Sequence, residues 1–158
     1  MNKKILLITA DPNSINSEII YKTWKKINNN EKKEIFLIGS YNLINEQFKK
    51  LKIKTKVYKV KNLEETRFSK NIKILDIPLV FKNPFFVSRK ASSKYLVECL
   101  KLCNKLAKKK QVKGIINCPI DKNLLQNAKV GVTEYLASKC KVKNNSEAML
   151  IRNSKLSV

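Results

Sequence analysis

Lys4-Ile5-Leu6-Leu7-Ile8-Thr9-Ala10-Asp11-Pro12-Asn13-Ser14-Ile15-Asn16-Ser17-Glu18 is the stretch whose reading decides the fold. Its unbroken apolar run has no polar face, so it reads as a buried first strand over residues 4–9. Asp11-Pro12 ends that strand, because proline fixes its own φ and restricts the residue before it. Beyond the break, Ile15, Ile19, Ile20, Thr23, Trp24 and Ile27 recur at helical spacing. This predicts a helix over residues 14–27 with Ser14 as N-cap, or a start one turn later at Ser17. Strand, polar turn and amphipathic helix in that order are the unit of a parallel sheet.

The alternation continues along the chain. Further strands are expected over residues 34–38, 56–60, 73–77, 112–118 and 147–152, and further helices over 42–51 and 89–109. The last of these carries Tyr95, Leu96, Cys99, Leu100, Cys103 and Leu106 on one face. Residues 62–88, which include Pro78 and Pro84, read largely as irregular or edge structure. The expected fold class is therefore α/β: one layered domain with a mostly parallel sheet and flanking helices. Residues 153–155 read as a turn and 156–158 as the start of another strand. The domain is thus expected to be incomplete at its C-terminus, as the amino-terminal portion of a longer protein or one completed by another copy.

Composition narrows the classes. At 158 residues with 43% apolar side chains, the chain can bury a core as a single globular domain. Its apolar runs are far shorter than the roughly 20 residues a membrane helix needs, and the N-terminus lacks the length and cleavage site of a signal peptide. A cytoplasmic protein with no membrane partner is expected. Cys99, Cys103, Cys118 and Cys140 match neither a disulfide scaffold nor a zinc ribbon and read as reduced thiols. The formal charge of +22 raises the question of nucleic acid. Against that, the cations are nearly all lysines scattered over every segment, with arginine only at Arg67, Arg89 and Arg152.

In an open parallel sheet, ligands bind beyond the carboxyl ends of the strands. Three segments fall there. The first is the turn after the first strand, a possible ligand loop with Asp11 and Glu18, where a helix N-terminus could hold an anion. It contains no glycine, so it is neither a dinucleotide fingerprint nor a P-loop. The second is Asn117-Cys118-Pro119-Ile120-Asp121-Lys122, where Lys122 could bind a phosphate and Asp121 orient it; an exposed ion pair explains both equally. The third is Gly131-Val132-Thr133-Glu134-Tyr135-Leu136, opening a helix that runs to about Cys140. With no histidine anywhere, the chain cannot build a histidine triad, histidine base or histidine metal site of its own, and no metal ligand is assigned.

These segments, in this order, resemble the 4-hydroxythreonine-4-phosphate dehydrogenase family of vitamin B6 biosynthesis. Residues 8–18 are similar to the family's I-T-x-G-D-P-x-G-I-G-P-E motif, one residue shorter, with Ala10, Ser14 and Asn16 where glycines are expected. Phe36-Leu37-Ile38-Gly39 resembles its second strand, and Tyr95-Leu96-Val97-Glu98-Cys99-Leu100 the start of its long helix. Residues 115–122 resemble its T-x-P-V-H-K segment, with Asp121 in place of histidine. Residues 131–137 resemble its G-H-T-E-F-L-A, with Val132 in place of histidine.

The resemblance implies an isocitrate/isopropylmalate dehydrogenase-like fold and a homodimer, or completion by a C-terminal half. It also implies NAD-dependent, divalent-metal-assisted oxidation and decarboxylation of a small phosphorylated substrate, 4-phosphooxy-L-threonine. Substrate contacts would carry over to Thr133 and the Val132 position, and more weakly to Lys122 and Asp121. The family's metal-binding histidines lie beyond Val158, so the isolated chain is expected to be inactive. A diverged binding module without catalysis is the alternative, and a basic nucleic-acid-binding domain a third.

Overall fold

The computed structural model describes residues 3–65, 67–128 and 131–140. The strand expected over 147–152 and the turn after it lie outside the described residues. The element order is β1 (Lys4–Ile8), α1 (Asn16–Lys26), α2 (Asn29–Glu34), β2 (Ile35–Gly39), α3 (Tyr41–Lys50), β3 (Val57–Lys59), β4 (Ile72–Asp76), α4 (Arg89–Ala107), β5 (Val112–Asn117), a 3-10 turn (Lys122–Ala128) and α5 (Val132–Ser138).

Among the described residues the five strands are all parallel, in the order β3-β4-β2-β1-β5. The connections from β1 through β3 step outward on one side of β1. The connection through α4 then returns across the sheet to β5 on the other side. The order therefore reverses between β1 and β5, the switch point at which open sheets part their loops.

The apolar runs form the middle of this sheet because both faces are covered. Leu6, Ile8, Phe36, Leu37, Ile38, Ile72 and Ile74 are buried, and α4 contributes Leu96, Cys99, Leu100 and Cys103 against them. β5 differs. It is an edge strand among the described residues, and Gly114, Ile116 and Asn117 on it are exposed.

Three local outcomes depart from the sequence reading. Helix α1 begins at Asn16, and Ser14 does not cap it: the N-cap residue is Ile15, with no side-chain cap bond. Asp11 explains the delay, since its Oδ1 accepts from Asn13 N at 2.9 Å and its carbonyl from Ser14 N at 3.3 Å, closing a turn first. Helix α2 was not foreseen because it buries no residue and has no apolar period. It forms around a capping box, with Asn28 accepting from Asn30 N and Glu31 N while Glu31 accepts from Asn28 N.

The third departure is Lys73 in the middle of β4, a fully buried lysine. Its ammonium lies 4.6 Å over the Phe36 ring and donates to the Lys32, Lys33 and Ser69 carbonyls, the first two at the end of α2. Burial, with Lys4 nearby, pulls its pKa down to about 8.

Candidate functional site

The carboxyl ends of β1, β2, β4 and β5 share one edge of the sheet, and the loops that leave them are fixed by side chains. Thr9, just beyond β1, is buried. Ser40 N–H donates to Tyr95 Oη at 2.8 Å, Tyr95 Oη lies 2.8 Å from Thr9 Oγ1, and Thr9 Oγ1 donates to the Ile38 carbonyl at 3.3 Å. With the Ser40 amide occupying one lone pair of Tyr95, the phenol proton is free to point at Thr9, giving a directed chain of three bonds. Burial pushes the Tyr95 phenol well above its usual range, so it stays a donor.

Gly39 is required by this cluster. A Cβ there would run into Thr9 Oγ1 and come within 2.7 Å of Tyr95 Oη. The neighbouring Cys99 thiol is driven up to about 12 by burial, and Cys118 up to about 11 for the same reason. Both are neutral thiols with no nucleophilic character at physiological pH.

Residues 10–13 continue the edge. Ala10 is fully buried at φ 60°, a conformation suited to glycine and costing on the order of 1 kcal/mol with a Cβ. Asn13 pairs in both directions with Val87, its Nδ2 donating to the Val87 carbonyl at 2.9 Å and its Oδ1 accepting from Val87 N at 2.8 Å. Gln47 of α3 donates to the Pro12 and Pro84 carbonyls, both at 2.8 Å. The loop after β1 is thus tied to the loop before α4.

Asn16, the first residue of α1, faces the switch point. Its Nδ2 donates to the Thr9 carbonyl at 2.9 Å and to the Pro119 carbonyl at 2.9 Å, with the Asp11 carbonyl at 3.4 Å. Its Oδ1 accepts from Ser14 Oγ at 3.2 Å. Ser14, expected to cap the helix, instead donates its hydroxyl to the Asn16 side chain.

The expected site residues fall around this stitch. Asp11 is spent on its own turn, and Glu18 points outward to Lys22 at 3.5 Å. Asp121 is exposed and accepts from Asn123 N at 2.9 Å, while Lys122 is exposed at the start of the 3-10 turn. The first two segments therefore meet through Asn16. The third packs against that turn, α5 resting on residues 122–128. Thr133 is exposed; Val132 is half-buried and packs against the core cluster with Tyr135 and Leu136. Gly131 leaves the space into which the Glu134 carboxylate folds.

Sequence reading missed Tyr95 and Asn16 as site-shaping residues. Tyr95 sat in an apolar stripe where its hydroxyl gave no signal. Asn16 was readable only as an unexpected occupant of a glycine position. Among the described residues, no group of three or more His, Cys, Asp or Glu side chains could hold a metal ion. No described helix is long and apolar enough to cross a membrane.

Residues 31–158 match the family model described as pyridoxal phosphate biosynthetic protein PdxA. A protein of Fusobacterium nucleatum provisionally named D-threonate 4-phosphate dehydrogenase is 28% identical over 142 residues, covering 86% of this chain and 43% of its own. The crystal structure of a 4-hydroxythreonine-4-phosphate dehydrogenase from Burkholderia phymatum superposes with a TM-score of 0.83 at 20% identity, covering 99% of this chain and 48% of that one. The corresponding Klebsiella pneumoniae enzyme gives 0.80 at 23% identity, covering 99% and 49%. At these identities the structures establish the fold. The chain spans about half the length of the relatives it matches.

Proposed function

Because the chain belongs to the PdxA family, we propose that it provides the amino-terminal, substrate-facing part of a dehydrogenase for a small phosphorylated hydroxy acid. The observation that carries this is the family match running from residue 31 through both the 117–122 and 131–136 segments. The substrate is 4-phosphooxy-L-threonine by the family's chemistry, with D-threonate 4-phosphate, named for the Fusobacterium relative, as the close competitor. The two share a phosphate monoester and a neighbouring hydroxyl. Thr133, exposed on α5, supplies a hydroxyl to the substrate, and Lys122 a point charge to its phosphate. Asp121 orients the turn through its bond to Asn123 N.

NAD and a divalent metal are implied by the family, and the residues described here do not fit either. A metal centre needs converging N, O or S donors; the chain has no histidine and gathers no such cluster among the described residues. A pyrophosphate cradle needs bare backbone, whereas Ala10 is buried and Asn16 occupies the switch point. No chemical step is assigned through either group. The contribution of these residues is to bind and orient the substrate, and the chain by itself is inactive.

Isothermal titration of the chain with 4-phosphooxy-L-threonine, with D-threonate 4-phosphate in competition, tests this reading. Binding that weakens at least fivefold in both Thr133→Val and Lys122→Ala is the expected result. Equal affinity in the wild type and both variants would remove the site assignment. Turnover of 4-phosphooxy-L-threonine by the purified chain with NAD and a divalent metal would overturn its inactivity.

A second reading, a binding module without catalysis, is favoured by Val132, whose side chain packs into the apolar surface where the family places a histidine. Val132→His tests it. Tighter substrate binding in that variant favours a drifted enzyme, and unchanged binding favours the module.

A further inference from the structure

We infer that Asn16 is the positioning residue for the segment that carries Asp121 and Lys122, holding it to the β1 loop by a carboxamide at a position where the family motif has glycine. The inference rests on the ligand role proposed for Lys122 and adds to it the group that sets where Lys122 stands.

The β1–β5 ladder ends at the bond from Cys118 N to the Ile8 carbonyl. Past that point, among the described residues, the Asn16 bond to the Pro119 carbonyl is the hydrogen bond joining residues 119–122 to the β1 loop. The far end of the segment is tied elsewhere. Ser93 Oγ of α4 donates to the Leu124 carbonyl at 2.7 Å, and the Arg89 guanidinium reaches the Asn123 carbonyl at 3.5 Å. Residues 119–124 therefore form a short arch with one foot on Asn16 and the other on α4. Asp121 and Lys122 sit exposed between the two feet.

Only a donor can make the first foot. Three carbonyl oxygens, those of Thr9, Pro119 and Asp11, lie within 3.4 Å of one nitrogen, and that nitrogen is 103 residues from Pro119 in sequence. Asn16 is 3% exposed, so water cannot replace the bond without the crevice opening. An amide supplies two N–H groups to this acceptor-rich space and a carbonyl to Ser14, which satisfies the whole side chain. Glycine there would leave the same carbonyls to be satisfied by something else, and the arch free to move relative to α1.

The discriminating variants are Asn16→Ala and the nearly isosteric Asn16→Asp. An ionised carboxylate keeps the shape, loses the donors and faces three oxygens. Amide hydrogen exchange of the whole chain is measured first, comparing the hydrogen-bonded amides of Cys118, Asn123 and Leu124 with the interior of α3 as a control for global stability. The expected result is exchange of those three amides at least tenfold faster in both variants, with α3 changed much less. In Asn16→Asp the acceleration should diminish as pH falls, because a protonated carboxyl regains one donor. Unchanged exchange of those amides in Asn16→Ala, or an Asn16→Asp protein indistinguishable from wild type at a pH where its carboxyl is ionised, would overturn the inference.

Inorganic phosphate is then titrated against wild type, both variants and Ser93→Ala, following the Lys122 resonances. Weakening at least fivefold in the Asn16 variants supports positioning. If phosphate fails to perturb Lys122 in the wild type, the ligand role of Lys122 fails, and the exchange experiment still decides whether Asn16 holds the arch.

Discussion

On its β2 side the end of β1 is held by a buried hydroxyl chain, Ser40 to Tyr95 to Thr9 to Ile38, packed against a glycine that leaves no room to spare. On its β5 side, past the Cys118 N–H to Ile8 carbonyl bond that ends the ladder, it is held by one carboxamide, beside an edge strand with Ile116 about half exposed. Both arrangements bridge neighbouring parallel strands at the same edge of the sheet. The difference is redundancy: losing one partner on the β2 side strands several buried polar groups, while on the β5 side it frees a surface arch. The closed side is scaffold, and the open side is the one that can move without unfolding the sheet.

The comparison breaks most directly at Gly39. Gly39→Ala must expel Thr9 or Tyr95 from the cluster, combining overpacking with lost buried hydrogen bonds. A destabilisation on the order of 3 kcal/mol or more is expected in urea melts. A loss under about 1 kcal/mol would mean the β2 side is as yielding as the β5 side. Tyr95→Phe removes only the hydroxyl and strands the Ser40 amide and Thr9 in a dry site, for about 1–3 kcal/mol, measured the same way.

The pH profile sharpens the same contrast, because the groups that burial displaces lie on the closed side and in the core, Cys118 at the end of β5 excepted. Cys99, Cys103 and Cys118 are all raised by burial from an ordinary 9.0, so above pH 9 the unfolded chain sheds thiol protons that the folded chain keeps, and stability falls. Lys73 acts oppositely: its pKa drops from 10.5 to about 8, so between those values the unfolded chain holds the extra proton and stability rises with pH. At about 1.4 kcal/mol per unit of displacement, the two effects roughly cancel from pH 8 to 9. A fall on the order of 2 kcal/mol follows from pH 9 to 10. In Lys73→Met the offset is gone, and the decline should begin nearer pH 8. Chemical denaturation at half-unit intervals reads both.

The smallest effect belongs to the open edge. Ile116→Thr, on an exposed face of β5, is expected to change stability by no more than about 0.5 kcal/mol in the same melts. A larger loss would show that this edge is also packed.

Much of the scaffold was legible before any coordinates. The runs at residues 4–9 and 34–38 have no polar face, so they had to be buried strands, and the stripe from Tyr95 to Leu106 had to be a helix on them. The short helix α2 was not legible by that route, since its cause is a pair of exchanged cap bonds rather than burial. Lys73 was invisible for the opposite reason: a lysine in an apolar strand reads as solvated, and it is the carbonyls at the end of α2, with that of Ser69 and the Phe36 ring, that let it be buried. The loops after β1 and β5 stand at the carboxyl edge, as strand-turn-helix order required, whereas the 131–136 segment follows the 3-10 turn and packs against it. Ser14 was assigned the cap that it does not make, because nothing local reveals that Asn16 would draw its hydroxyl away.

By itself, then, the sequence determined the parallel α/β layering and the long helix across the sheet. It could do so because periodicity and turn chemistry are properties of neighbours along the chain. Tertiary structure decided which strands adjoin, and hence that residue 16 meets residue 119 and residue 95 meets residue 9. Those contacts join positions 103 and 86 apart, whose partners are chosen by strand order and burial together. No local preference of asparagine or tyrosine contains that choice.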